Sequence, residues 1–143
     1  MSANALADRI EGLVHAETQV RDGAVDLTAA GVHRVADAGR VDFGGGELDE
    51  ATLEPVETSL RNPEDDYGWW TLPEGTYVLT VNERLTGDDP VRVEPRGELA
   101  ARGGTLPTLT TTALDPLPLS TPTGSGVTLR VKENARVATV RPP

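Results

Sequence analysis

The chain has no cysteine in its 143 residues, which excludes disulfides and every thiolate-based metal site. Lysine is nearly missing as well: Lys132 stands alone, and the rest of the 13 basic residues are arginine. Aromatic residues are scarce, with two Trp, two Tyr and one Phe, so any core must be built mainly from aliphatic side chains. No apolar run approaches the ~20 residues of a membrane span. Near the amino terminus, Asp8, Arg9 and Glu11 interrupt the stretch where a secretory leader keeps an unbroken apolar segment. A cytoplasmic protein with no membrane partner is the expectation. A basic stripe is also lacking. With no such stripe to release counterions, the charge argues against a nucleic-acid backbone as partner, and none is expected.

Acid is what the chain has in excess. There are 23 Asp and Glu against 13 basic residues, a net charge of −10, spread along the whole length rather than collected in a tail. In dilute buffer such a charge repels itself and weakens the compact state. Molar salt shortens the screening length to ~3 Å and removes most of that cost. Acid excess, one lysine and five aromatics make a composition suited to a salty cytoplasm, that of a halophile. The length is that of one domain, residues 1–143, large enough to hold a core without staples.

Apolar spacing at Leu6, Ile10, Leu13 and Val14 predicts one helix over 3–16, with Ser2 as its N-cap. Beyond Val20 the pattern shortens to strands. Val25–Leu27 and Val32–Val35 read as two, punctuated by Gly23 and Gly31. Gly44–Gly46 has neither the lysine nor the hydroxyl residue of a phosphate loop and opens an acidic surface excursion over about 44–68. Thr76–Val81 is the best strand, and Val91–Val93, Thr128–Val131 and Arg136–Val140 follow. Glu98–Arg102 reads as a short helical turn, and residues 106–119 as a threonine-rich stretch broken by prolines. Short strands with Gly and Pro punctuation predict a mainly β barrel or sandwich.

The residues by themselves carry little chemistry. His15 and His33 are single histidines, and no nucleophile elbow, zinc helix or dinucleotide loop is present. Asp26 is the unusual carboxylate, because it lies between Val25 and Leu27 on a strand that disfavours aspartate. It calls for a specific partner, either a structural hydrogen bond or a substrate contact. Arg96 and Arg102 bracket a turn and could clamp phosphate or form surface ion pairs.

Four segments, in order, resemble archaeal dUTPases and dCTP deaminases. Gln19–Thr28 is similar to Q-[IV]-Q-P-x-[GS]-[IV]-D-L. Trp70–Glu83 is similar to W-x-L-x-P-G-x-Y-L-x-x-x-N-E. Pro95–Gly103 stands where that family carries [PG]-R-S-S-L-x-R-x-G, and Val131–Ala138 where it carries K-x-G-x-R-I-A-Q. The resemblance implies a distorted dUTPase-like β-barrel (a β-clip) with a short N-terminal helix, assembled as a homotrimer with sites at the subunit boundaries. It implies a deoxynucleoside triphosphate as ligand, and hydrolysis of dUTP to dUMP and pyrophosphate with Mg²⁺, or deamination of dCTP. Asp26 matches the first motif's aspartate, and Arg96 the arginine that contacts phosphate in the family.

The departures are specific. Gly97 and Glu98 replace the two serines, and Glu98 brings negative charge to where a triphosphate would lie. The segment that should read T-x-E-T-A-x-x-D-x-G-Y is Thr105–Asp115, with Pro107 at the glutamate and Thr112 at the aspartate. Asp115, three residues on, and Glu98 are the carboxylates left for a catalytic role. Asp26, Arg96 and Arg102 are the candidates for substrate contact. No residues suggest a protein-held metal. Two readings stand: a dUTPase-type hydrolase with a divergent site and Mg²⁺ as cofactor, or a non-catalytic relative serving as a nucleotide-binding or assembly module without one.

Overall fold

The structure, a computed structural model, describes residues 3–143. Its first element is α1 (Ala3–Asp8), which stops where the sequence pattern predicts continuation to residue 16. The chain turns at Arg9, whose N–H donates to the Leu6 carbonyl at 3.0 Å, and Ile10–Glu11 becomes the two-residue strand β1. Gly12 follows at φ +87°, with space for no side chain: a Cβ there would lie 2.5 Å from the Asn82 carbonyl oxygen. Leu6 and Ile10 are buried as predicted, one from a helix and one from a strand, while Val14 is exposed. Helical spacing over so few residues is also satisfied by a helix and a strand that meet the same core, and the left-handed turn at Gly12 decides for the second. The Ser2 cap lies outside the described residues. A second short helix, α2 (Ala16–Gln19), leads into β2 (Val20–Arg21).

The spine is β3 (Ala24–Asp37), a single 14-residue strand where two short ones are expected from the sequence. Gly31 does not end it. Its pairing register slips between Ala29 and Gly31, and a Cβ on Gly31 would meet the Thr80 hydroxyl at 2.7 Å. Bulges of this kind bend a strand and increase its twist. After the bend β3 continues to β4 (Thr52–Pro55), so the exposed segment 44–68 is not without structure. The remaining strands are β5 (Trp69–Pro73), β6 (Thr76–Val81), β7 (Arg84–Leu85), β8 (Val91–Pro95), β9 (Leu109–Thr111), β10 (Leu117–Ser120), β11 (Thr128–Lys132) and β12 (Arg136–Arg141). Helix α3 (Gly97–Ala100) follows β8. The proline-broken stretch therefore holds two strands, and Pro118 is tolerated because β10 is an edge strand.

All the pairings are antiparallel. The main sheet runs β10-β6-β3-β12-β8-β9, with β2 and β4 on further stretches of β3. It curls as a half-barrel. Two ribbons, β1-β7 and β5-β11, complete the surface. The enclosed core is aliphatic apart from Trp70 and Tyr77, as the composition requires. Burying each Leu, Ile or Val contributes about 1.5–3 kcal/mol, and β12 is buried on both faces from Val137 to Val140. The mainly β architecture and short N-terminal helix agree with the sequence reading. Among the described residues no helix is long and apolar enough to cross a membrane.

Candidate functional site

Asp26 sits in the buried half of β3, directly opposite Thr139 of β12. Its side chain is 0% exposed, yet it carries charge. Four donors explain this. Oδ1 accepts from Arg21 Nη2 at 2.6 Å and from the Thr139 hydroxyl at 2.9 Å. Oδ2 accepts from Arg96 Nη1 at 2.5 Å and Arg136 Nη1 at 3.1 Å. Burial alone would push the Asp26 carboxyl up. The hydrogen bonds from Arg21 and Thr139, with the charges of Arg96 and Arg21, outweigh it and hold the group below the usual aspartate value.

Arg96 is the hinge between this buried charge and the surface. It is only 12% exposed, and its other nitrogen, Nη2, donates to Glu98 Oε1 at 2.5 Å. Glu98 itself is 66% exposed on α3, and its carbonyl accepts from Arg102 Nη1 at 2.9 Å. Asp26, Arg96, Glu98 and Arg102 thus form one connected chain of contacts. A groove of about 300 Å³ opens beside it, walled by Glu98, Leu99 and Arg102 on one side and by Lys132, Arg136 and Trp69 from the neighbouring strands. Asp115 is not part of that chain. It lies in the loop before β10, where its Oδ2 accepts from the Val81 N–H at 3.0 Å.

Beneath the cluster lies a second buried carboxylate that was not singled out from the sequence. Glu83 accepts from the Thr28 N–H at 2.8 Å, the Thr28 hydroxyl at 2.5 Å and Gln19 Nε2 at 2.9 Å. Gln19 Nε2 also donates to the Asp26 carbonyl, and Gln19 Oε1 accepts from the N–H groups of Val14 and His15. Asn82 extends the network to Asn134, which stands at φ +66° in the turn between β11 and β12. Gln19 and Glu83 fall within the first two resembling segments, and Arg136 within the last. These segments therefore converge on one polar core in space. Thr139 could be added only once the register of β3 against β12 was known, whereas Arg21 reaches Asp26 across the short β2-β3 hairpin.

The comparisons with known proteins bear on this arrangement. Two curated proteins named probable deoxyuridine 5'-triphosphate nucleotidohydrolase, from Methanosarcina mazei and Methanosarcina acetivorans, are each 31% identical to this chain over 101 residues. Over that stretch the chain is similar to dUTPases. The match covers 69% of this chain and 56% of each relative, so the chain spans little more than half the length of the curated relatives it matches. The fold is similar to that of a solved structure: the crystal structure of 2'-deoxycytidine 5'-triphosphate deaminase from Agrobacterium tumefaciens superposes with a TM-score of 0.62 at 14% identity, over 99% of this chain and 45% of that one. No family model matches the sequence.

The Mg²⁺ implied by the resemblance finds no cage among the described residues. Both oxygens of Asp26 are taken by arginines and Thr139, and Glu98 is the sole carboxylate on the groove. Among the described residues no group of three or more potential ligands is placed to hold a metal ion.

Proposed function

We propose that the protein handles a deoxynucleoside triphosphate in the groove beside α3 and hydrolyses dUTP to dUMP and pyrophosphate, slowly. The observation that carries this reading is the contact chain from Asp26 through Arg96 to Glu98 and Arg102 at the mouth of a groove with cationic walls. The two curated relatives named as dUTP hydrolases support the choice of nucleotide.

The division of labour follows from burial and lone pairs. Asp26 is fully engaged and cannot hold a water; it fixes Arg96 and Arg136 in place. Arg102 and Arg136 supply positive charge to phosphate oxygens. Glu98 is the carboxylate within reach of the groove that can take a proton from an attacking water. Solvent-exposed and paired to Arg96, it is a poorly held base, which accounts for a slow reaction. Assembly as a homotrimer would close the open groove with a neighbouring subunit.

The test is pyrophosphate release from dUTP with Mg²⁺ in molar KCl. Turnover is expected below about 1 s⁻¹, the low end of ordinary enzyme rates. Glu98→Gln lowers kcat by about 10²-fold or more, and Arg102→Ala raises KM. Unchanged turnover in Glu98→Gln would remove Glu98 from the reaction. Tight dUTP binding with no pyrophosphate from the wild type would favour the non-catalytic module instead.

A further inference from the structure

Acids outnumber bases 23 to 13 here, so every basic side chain has carboxylates available to it. Eight of the 13 use one. Arg9 and Arg102 donate instead to main-chain carbonyls. Arg61, Arg130 and Lys132 have neither a carboxylate nor a hydrogen-bond partner among the described residues, and all three gather at Trp69. The Arg61 guanidinium carbon lies 5.8 Å and the Lys132 ammonium 5.6 Å from the indole centroid. Arg130, across the β5-β11 ribbon, lines both of the clefts that Trp69 borders. A solvated salt-bridge surface does not produce this pattern, because in such a surface the surplus charge is the acid.

We propose that the cleft of about 510 Å³ formed by Ser59, Arg61, Trp69, Thr71 and Arg130 binds a short oligophosphate-type anion, at a site that borders the α3 groove through Trp69 and Arg130 but includes none of the Asp26–Arg96 cluster. Two guanidinium forks match phosphoryl oxygens in a bidentate manner, and the hydroxyls of Ser59 and Thr71 add donors. The indole holds Arg61 and Lys132 by cation–π attraction while no anion is bound. It also shields one side of the cleft from water. The net charge of −10 sets the size of the ligand. A long polyanion would run past the patch onto an acidic surface, whereas an anion that fits inside the cleft stays within about a screening length of the three cations.

Trp69 supplies the readout, since the other tryptophan, Trp70, is buried. Titration of the full chain with inorganic tripolyphosphate at fixed ionic strength should change tryptophan emission saturably, and Trp69→Phe should abolish the change. With circular dichroism confirming the fold, Arg61→Gln alone weakens binding and Arg61→Gln with Arg130→Gln weakens it at least about tenfold, the loss expected for charged hydrogen bonds. Arg102→Ala leaves it unaltered while weakening dUTP, which separates this site from the α3 groove. Equal affinity in the double variant, no response in the wild type, or loss of the response in Arg102→Ala would each overturn the proposal. Single-stranded DNA binding more tightly than tripolyphosphate, or a concentration-dependent rise in mass abolished by Trp69→Phe, would assign the cluster to a different partner and overturn it too.

Discussion

A carboxylate has room for about four hydrogen bonds, and Asp26 already receives four, from Arg21, Arg96, Arg136 and Thr139. The two possibilities open at this residue from the sequence, structural bond or substrate contact, are thereby weighed by its surroundings in favour of the first. Asp26→Asn would leave three arginines around a neutral amide. Removing one partner of a buried pair costs about 3–5 kcal/mol, with Arg96 contributing most and the half-exposed Arg21 least. The acid limb carries the same signature. The folded-state pKa lies below the 3.8 of free aspartate, so Asp26 contributes its full stability above that value and loses it as pH falls through the lower folded value. Urea midpoints measured from pH 7 down to pH 2 should therefore converge between wild type and Asp26→Asn at the acid end. A constant gap across that range would show that the carboxylate's ionisation plays no part.

At the level of elements, the decisive devices are two glycines with unlike jobs. Gly31 lets β3 bend without ending, and Gly12 ends the helical pattern by turning left-handed against Asn82. Gly12→Ala should therefore destabilise the fold by more than the ~1 kcal/mol that glycine-to-alanine changes ordinarily move stability, because both the φ of +87° and the 2.5 Å approach to the Asn82 carbonyl oppose a methyl. Thermal melts of Gly12→Ala and, as control, the uncrowded Gly97→Ala would check it. These positions also mark the limits of reading elements from sequence. Thr76–Val81 alternates cleanly and is the strand β6 with the same bounds. The helix over 3–16 fails because four apolar residues at helical spacing do not specify which element delivers each to the core. The strand break at Gly31 fails because glycine marks a bulge as readily as an end. For the site, the residues on resembling segments, Asp26, Arg96 and Glu98, do come together, whereas Asp115 does not join them. Thr139 depends on a cross-strand register that no local pattern encodes, whereas Arg21 needs only the short β2-β3 hairpin.

For the whole molecule, charge is the governing quantity. Among the described residues the ion pairs other than those on Asp26 are largely on the surface, where each contributes little, so they do not offset a net charge of −10. Stability is expected to rise steeply between about 0.1 M and 2 M KCl as the screening length falls from ~10 Å toward ~3 Å or less. Far-UV circular dichroism melts across that series, with light scattering on the same samples, would read stability and mass together. A trimer mass in molar salt fits the shared-site arrangement. Equal melting at both ends of the series would count against a fold adapted to salt.

The Asp26 contacts also impose an order in time. Its donors lie 5, 70, 110 and 113 residues away along the chain. Of these donors Arg21 alone precedes Asp26 in synthesis, and the strand carrying Arg136 and Thr139 is the last of the sheet to appear. The centre of the sheet thus stays an open wound of negative charge until β12 inserts between β3 and β8. Closure of the half-barrel and neutralisation of its buried carboxylate both require the pairing of β12, a contact of the non-local kind that is slow to form.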